Sequence, residues 1–324
     1  MAKEYKYLTP DQIDHFMKYG YLRIPKAFSP EKAAEWTASV WTRLGYDPND
    51  KSTWLQERIN MPNHKFEAVS TFSPVAWGAI CELLGGEERI DDKSTKWSDG
   101  LIVNLGAPKW ENNWQQPQDL ENWHVDGDFF LHFLDSREQA LLVIPVFTEI
   151  VHQGGGTMIA PEGIKMIARQ LYEHPEGVEP RGFKALDKIK QCKDFHEITG
   201  SPGDVVLMHP FMLHSASHNA LRIPRIITNP PVLLKQPFNF DRENPDDYSL
   251  VEKKTLKELG VDSLPGWKIT GERRVIVPER VRIQAEMREK ELKRLAGELT
   301  EGTQSAWPEK HEFLKPTTEE ILSM

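Results

Sequence analysis

SPGDVVLMHPFMLHSASHNALRIPRIITNPPV, residues 201–232, is the stretch on which the fold reading turns. Pro202, Gly203 and Asp204 are turn chemistry. Val205 to Met208 form a short apolar run of strand length, and Arg225-Ile226-Ile227-Thr228 begins a second, β-branched one. Between them lie three histidines, His209, His214 and His218. A second informative stretch lies upstream: NWHVDGDFF, residues 122–130. If NWHVD is extended, His124 and Asp126 project to one face, since side chains at i and i+2 share a face of a strand.

Imidazole and carboxylate suit a borderline divalent metal, and cysteine is absent from both stretches. His-x-Asp alone is a common tripeptide. With one remote histidine it supplies two nitrogens and one oxygen, which leaves three positions of an octahedral ferrous ion open for a co-substrate and dioxygen. Spacing does not choose among the three histidines. His209 precedes Pro210 and reads equally as a packed, hydrogen-bonded core residue, while His218 lies in a polar, loop-like stretch. Arg225 leads an apolar run, and an arginine pointing from such a strand into a core needs an anionic partner. A carboxylate gripped in bidentate fashion supplies one. Arg222 reads as a solvated surface charge.

On these residues the chain resembles the phytanoyl-CoA dioxygenase-like (PhyH-type) family of Fe(II)/2-oxoglutarate-dependent oxygenases. The family's distal segment runs Gly-Asp, three residues, an aromatic or apolar residue, His-Pro, three apolar residues and His, with Asn five and Arg eleven residues on. Here those positions are Gly203, Asp204, Met208, His209, Pro210, His214, Asn219 and Arg225. The resemblance implies that His124, Asp126 and His214 hold iron, as metal ligands and catalytic centre, and that Arg225 holds the distal carboxylate of 2-oxoglutarate. It implies that His209 is not a ligand. In one departure, the family often has Gly-Ser after the histidine where this chain has Ser215-Ala216, so residue 216 offers no hydroxyl. Ser215 or Ser217 replaces it, or nothing does. The implied chemistry is oxidation of an unactivated C–H bond of a small molecule, with release of succinate and carbon dioxide.

Between the two stretches, Leu141 to Phe147 reads as a buried strand, Gly154-Gly155-Gly156 as a tight turn, and Thr157 to Ala160 as a further extended segment. Gly-Gly-x-Thr is similar to several 2-oxoglutarate oxygenases in which the threonine hydroxyl helps hold the co-substrate. That makes Thr157 a candidate co-substrate contact, against a hairpin threonine satisfied by backbone. Asn104, on the strand before the tryptophan-rich loop, is a second candidate. Trp110, Trp114 and Trp123, with Trp97, are candidates for an aromatic wall over the substrate.

Composition narrows the classes. A chain of 324 residues with 39% hydrophobic residues and ten tryptophans can build one large domain. Net charge −9 and no basic patch argue against nucleic acid as a partner. Two cysteines make neither a disulfide framework nor a thiolate metal site. No stretch reaches the length of a membrane span, so the expectation is a cytoplasmic protein acting on a small molecule without a membrane partner. The sequence leaves the oligomeric state open.

The short strands and Gly/Pro turns predict a mainly β fold, a double-stranded β-helix (jelly roll, cupin-like) with helical supports. Residues 1–95 read as an N-terminal helical support, 96–235 as the catalytic core and 236–324 as a C-terminal extension. Thr9-Pro10-Asp11-Gln12 predicts a capped helix that stops at Gly20, YLRIP a strand, and Ser29-Pro30 the start of a helix whose Trp36, Val40 and Leu44 share a face. Helices are expected near 75–84 and 164–172. A charged helix near 278–300 reads as solvated, packed on the barrel or used in self-association. Two other functions compete: a binding protein with a vestigial metal site, which the complete ligand set opposes, and a zinc jelly-roll isomerase or hydrolase, which gives the remote arginine no role.

Overall fold

In a computed structural model, residues 4–297 are described. The helices are α1 (Pro10–Tyr19), α2 (Pro30–Thr37), α3 (Val40–Leu44), α4 (Val69–Phe72), α5 (Pro74–Leu84), α6 (Glu162–Glu173), α7 (Ala185–Ile189), α8 (Leu250–Leu259) and α9 (Arg280–Leu295). The strands are β1 (Tyr21–Ile24), β2 (Arg58–Asn60), β3 (Phe66–Ala68), β4 (Lys96–Ser98), β5 (Ile102–Asn104) and β6 (Leu141–Pro145). They continue with β7 (Thr157–Ala160), β8 (His196–Ile198), β9 (Val205–Met208), β10 (Leu213–Ala216), β11 (Arg225–Ile227) and β12 (Pro231–Val232). The architecture is mixed, with antiparallel sheets and helices. Helices carry more of the chain than a mainly β reading allows.

The sheets follow from the apolar runs. β6 and β9 are buried along their whole length and pair at the centre of a sheet ordered β1-β9-β6-β12. A second sheet runs β10-β7-β8, a third β11-β5-β2, and β3 pairs with β4. Single antiparallel bridges stitch these together: Val146 with Ile227, Ile150 with Gly200, and Gly154 with Asn219. Helix α8 packs against α1, α5 and α6.

Local chemistry explains the supports. Thr9 and Gln12 form the reciprocal capping box at α1, and Gly20 closes it; such a cap contributes about 1 kcal/mol. The expected helix through Trp36, Val40 and Leu44 is two helices, although all three residues are buried. The Thr37 hydroxyl donates back to the Ala33 carbonyl at 2.9 Å, where α2 ends. Helices α5 and α6 form where the apolar periodicity placed them.

Two further expectations need correction. Residues 122–126 are not a regular strand, since His124 makes one isolated bridge, to His214. Nor is α9 solvated on every face. It packs on α3, and Glu291 is 1% exposed and accepts from Arg43 Nε at 2.8 Å. Arg43 also bonds Asp99 at 3.1 Å, and His64 reaches Glu291 at 2.6 Å. The sequence showed only mixed charge along α9, and long-range partners turned one of those charges inward. A buried charge persists only when paired in this way. Residues 298–300 of the expected helix lie outside the described residues.

Candidate metal centre

The bridge between His124 and His214 builds the centre. Each backbone N–H donates to the other's carbonyl, at 3.0 and 3.1 Å, so the two side chains leave the same face with ring centroids 4.3 Å apart. Each ring is oriented in the same way. Nδ1–H of His124 donates to the Asn122 carbonyl at 2.8 Å, and Nδ1–H of His214 to the Met212 carbonyl at 3.0 Å. Both Nε2 lone pairs are thus free for a ligand, the second-sphere arrangement of metal-binding histidines. Asp126 Oδ1 lies 3.3 Å from His124 Nε2 and 3.5 Å from His214 Nε2. All three donor atoms fall within 4.8 Å of one another, a set that could hold one metal ion. Asn229 Nδ2–H donates to the other carboxylate oxygen, Oδ2, at 3.4 Å.

The electrostatics fit a cation. Burial pushes the Asp126 carboxyl up, but the imidazoles of His214 and His124 outweigh it and hold Asp126 well below the carboxylate range. Burial likewise disfavours charge on His124, and the Asp126 carboxylate overrides it and raises the pKa. A carboxylate flanked by two imidazoles is a place where a divalent ion can replace protons.

Arg225 opens β11 opposite Asn104 of β5, which in turn stands opposite Arg58 of β2. Residues in register across a sheet share a face, so two guanidinium groups flank one amide. Arg225 is 1% exposed, and its Nε–H donates to the Gly155 carbonyl at 2.8 Å. Its Nη1 is buried without a partner, and no carboxylate of the described residues pairs with it. Burial, with Arg58 adding repulsion, pushes its pKa down to about 9. A buried guanidinium with an unpartnered Nη1 could accept an anion. Arg58 was missed in the sequence because only the pairing of β2 with β5 brings it beside Arg225. Asn229, which touches Asp126, follows Arg225 by four residues, a separation of at most about 14 Å along extended chain.

The remaining candidates divide. Thr157 stands opposite Ala216 on the β10-β7 pair, and Ala216 shares a face with His214. A hydroxyl is therefore present on the metal side, from the neighbouring strand and not from residue 216. Ser215 lies on the opposite face, and Ser217 spends its hydroxyl on the Gly156 carbonyl at 2.8 Å. The Asn104 amide is committed to backbone: Nδ2 donates to Gly155 and Ser217, and Oδ1 accepts from Gly106. That makes it a clamp on the glycine turn. The tryptophans contact different ring partners. Trp110 stacks on His218, itself paired with Glu57, while Trp114 faces His152 and Trp123 faces Phe195. His209 is fully buried and bonds Thr255 at 2.9 Å, a packed core histidine.

The sequence profile of the family described as phytanoyl-CoA dioxygenase (PhyH) matches residues 16–226. The chain belongs to this family, and it is an enzyme of the iron- and 2-oxoglutarate-dependent oxygenase type. No curated protein matches it. Among solved structures it is similar to the non-heme alpha ketoglutarate dependent carbocyclase SnoK from nogalamycin biosynthesis. That likeness has 16% identity over 83% of this chain and 97% of the other, at TM-score 0.43. It is also similar to HygX from Streptomyces hygroscopicus with nickel and 2-oxoglutarate bound (12% identity, 74% and 93% covered, TM-score 0.41). A third is EctD from S. alaskensis with bound Fe (16% identity, 75% and 84% covered, TM-score 0.41). Among the described residues no helix is long and apolar enough to cross a membrane.

Proposed function

We propose that the protein is an Fe(II)- and 2-oxoglutarate-dependent dioxygenase that oxidises a C–H bond of a small molecule, on a double-stranded β-helix core. The observation that carries this is the convergence of His124, Asp126 and His214 with both Nε2 atoms unencumbered. These three residues hold the metal and leave open positions. Iron with 2-oxoglutarate supplies the oxidising power, the keto acid being consumed to succinate and carbon dioxide.

The protein's own residues bind and orient. Arg225 takes the distal carboxylate of 2-oxoglutarate in its buried fork, and Arg58 adds a second positive charge to the same anion site. Gly155 and Asn104 hold the Arg225 guanidinium in place, and Thr157 offers a hydroxyl to the co-substrate from the face that bears His214. Asn229 restrains the second oxygen of Asp126, which directs the first toward the metal. Burial keeps water from competing for Arg225 and strengthens its attraction for a carboxylate.

A screen of metabolites for succinate release above background, with Fe(II), ascorbate and 2-oxoglutarate, tests the reading and finds the substrate. Release that an added compound stimulates, and that Asp126→Ala abolishes, supports it. Stimulated turnover that survives in Asp126→Ala refutes it.

A further inference from the structure

The chain beyond the matched span of the family, residues 227 onward, returns to the metal loop. Asp126 is followed by Gly127 at φ +107°, where a Cβ would come within 2.4 Å of Phe130 and 2.8 Å of His132. His132 Nε2–H donates to the Gly127 carbonyl at 2.7 Å, so the chain folds back on itself directly after the metal carboxylate. Residues 129–131 then pair with 274–276. Leu131 N–H donates to Arg274 at 3.0 Å and Ile276 N–H to Phe129 at 2.7 Å. Arg273 bonds Asp135 at 2.7 Å.

Besides Asn229, which touches Asp126 itself, the segment ties to the metal loop through Arg280, the first residue of α9. Its Nε–H and Nη2–H both donate to Asp128, at 2.8 and 2.9 Å, two residues beyond the ligand Asp126. The helix cannot easily slide, because Glu291 near its other end is locked to Arg43 and His64. An ion pair as exposed as this one adds little to stability. A two-pronged guanidinium–carboxylate contact does fix direction, and the direction it fixes is that of the loop aiming Asp126.

We propose that Arg280 is a positioning residue for the metal centre: gripping Asp128 from a rigid helix, it sets the orientation of the Asp126 carboxylate. The centre is thus completed by a segment outside the family's matched span. The proposal rests on the metal-binding reading above.

Titration of full-length protein with Co(II), followed by calorimetry and visible absorption, tests it alongside thermal unfolding. Arg280→Gln is expected to weaken Co(II) about tenfold, the usual scale for outer-shell contacts. It should also alter the Co(II) absorption bands while the thermal midpoint moves by no more than about 2 °C, as for a weak surface pair. Arg280→Lys, which keeps the charge but not the fork, should remain weakened, and the exchanged pair Asp128→Arg with Arg280→Asp should recover part of the affinity. Asp128→Asn removes the same contact from the other side and serves if Arg280→Gln does not fold. Unchanged Co(II) affinity and spectrum in Arg280→Gln would overturn the proposal, whatever the thermal midpoint does. A parent protein that binds no Co(II) would instead overturn the metal reading, and the proposal with it.

Discussion

Replacing Arg225 by Met separates a binding group from a structural one, because the two roles predict opposite changes in stability. Methionine keeps most of the aliphatic stem and removes the charge. The guanidinium is buried, with Nη1 unpartnered and Arg58 beside it, and its pKa falls from 12.5 to about 9. At about 1.4 kcal/mol per tenfold, holding that charge costs roughly 5 kcal/mol. The substitution relieves this cost and loses one hydrogen bond, to Gly155, of about 1 kcal/mol. Allowing for imperfect repacking, the ligand-free variant should be as stable as the parent or more stable, by about 1–3 kcal/mol. Co-substrate binding should move the other way. Removing one partner of a buried charge pair costs about 2–4 kcal/mol, so the 2-oxoglutarate dissociation constant should rise roughly 30- to 1,000-fold. Anaerobic calorimetric titration of 2-oxoglutarate into the Mn(II)-loaded protein measures the second quantity, and chemical denaturation of the metal-free protein the first. An unchanged 2-oxoglutarate affinity, or a ligand-free variant less stable than the parent by more than about 1 kcal/mol, would refute the anion-site argument.

Other predictions follow from single contacts. Thr157→Val should weaken 2-oxoglutarate about three- to tenfold, the scale of one neutral hydrogen bond, with metal affinity unchanged; equal binding curves for variant and parent would remove the hydroxyl from the site. Gly155→Ala forces a Cβ to within 2.6 Å of Asn104 Nδ2 at φ +79°, so denaturation should show a loss of stability and titration a loss of 2-oxoglutarate affinity, since Gly155 carries the carbonyl that holds Arg225. Acid should destabilise the fold in two windows. Burial lowers His209 to about 3 and His132 to about 4, so the unfolded chain takes up protons first, and their contribution is lost as pH falls from about 6.5 toward those values. Glu252 is lowered to about 2, against its own burial, by Arg89 and two backbone N–H groups, so its contribution is present above about 4.5 and is lost as pH falls toward 2. His209→Gln should flatten the upper window in a stability–pH curve, and an unchanged slope between pH 4 and 6 would contradict the assignment.

Local rules were the ones legible in the chain. The Thr9–Gln12 capping box, the Gly20 stop and the apolar runs of β6 and β9 act within a few residues, and each formed as read. The ligand set needed more than spacing, since His209, His214 and His218 are equivalent candidates until the sheet is built. One bridge, from His124 to His214, decides among them. What stayed hidden was long-range. Arg58 joins Arg225 only through the pairing of β2 and β11 on either side of β5. Glu291 is buried because Arg43, far away in sequence, turns toward it. Asn104 was legible as a candidate co-substrate contact, but not as an amide whose donors and acceptor were already taken by backbone.

The peptide hydrogen bonds joining residues 124 and 214 have a practical corollary. Because backbone pairing presents the imidazoles, the fold itself fixes two of the three corners of the donor nest. A rigid three-donor nest of this kind discriminates poorly, and intrinsic affinity along the first-row series favours nickel, copper and zinc over ferrous iron. Purified material will therefore carry whichever of these the growth medium supplied, and silence in a turnover assay acquires meaning only after stripping with a chelator and anaerobic reloading with ferrous salt.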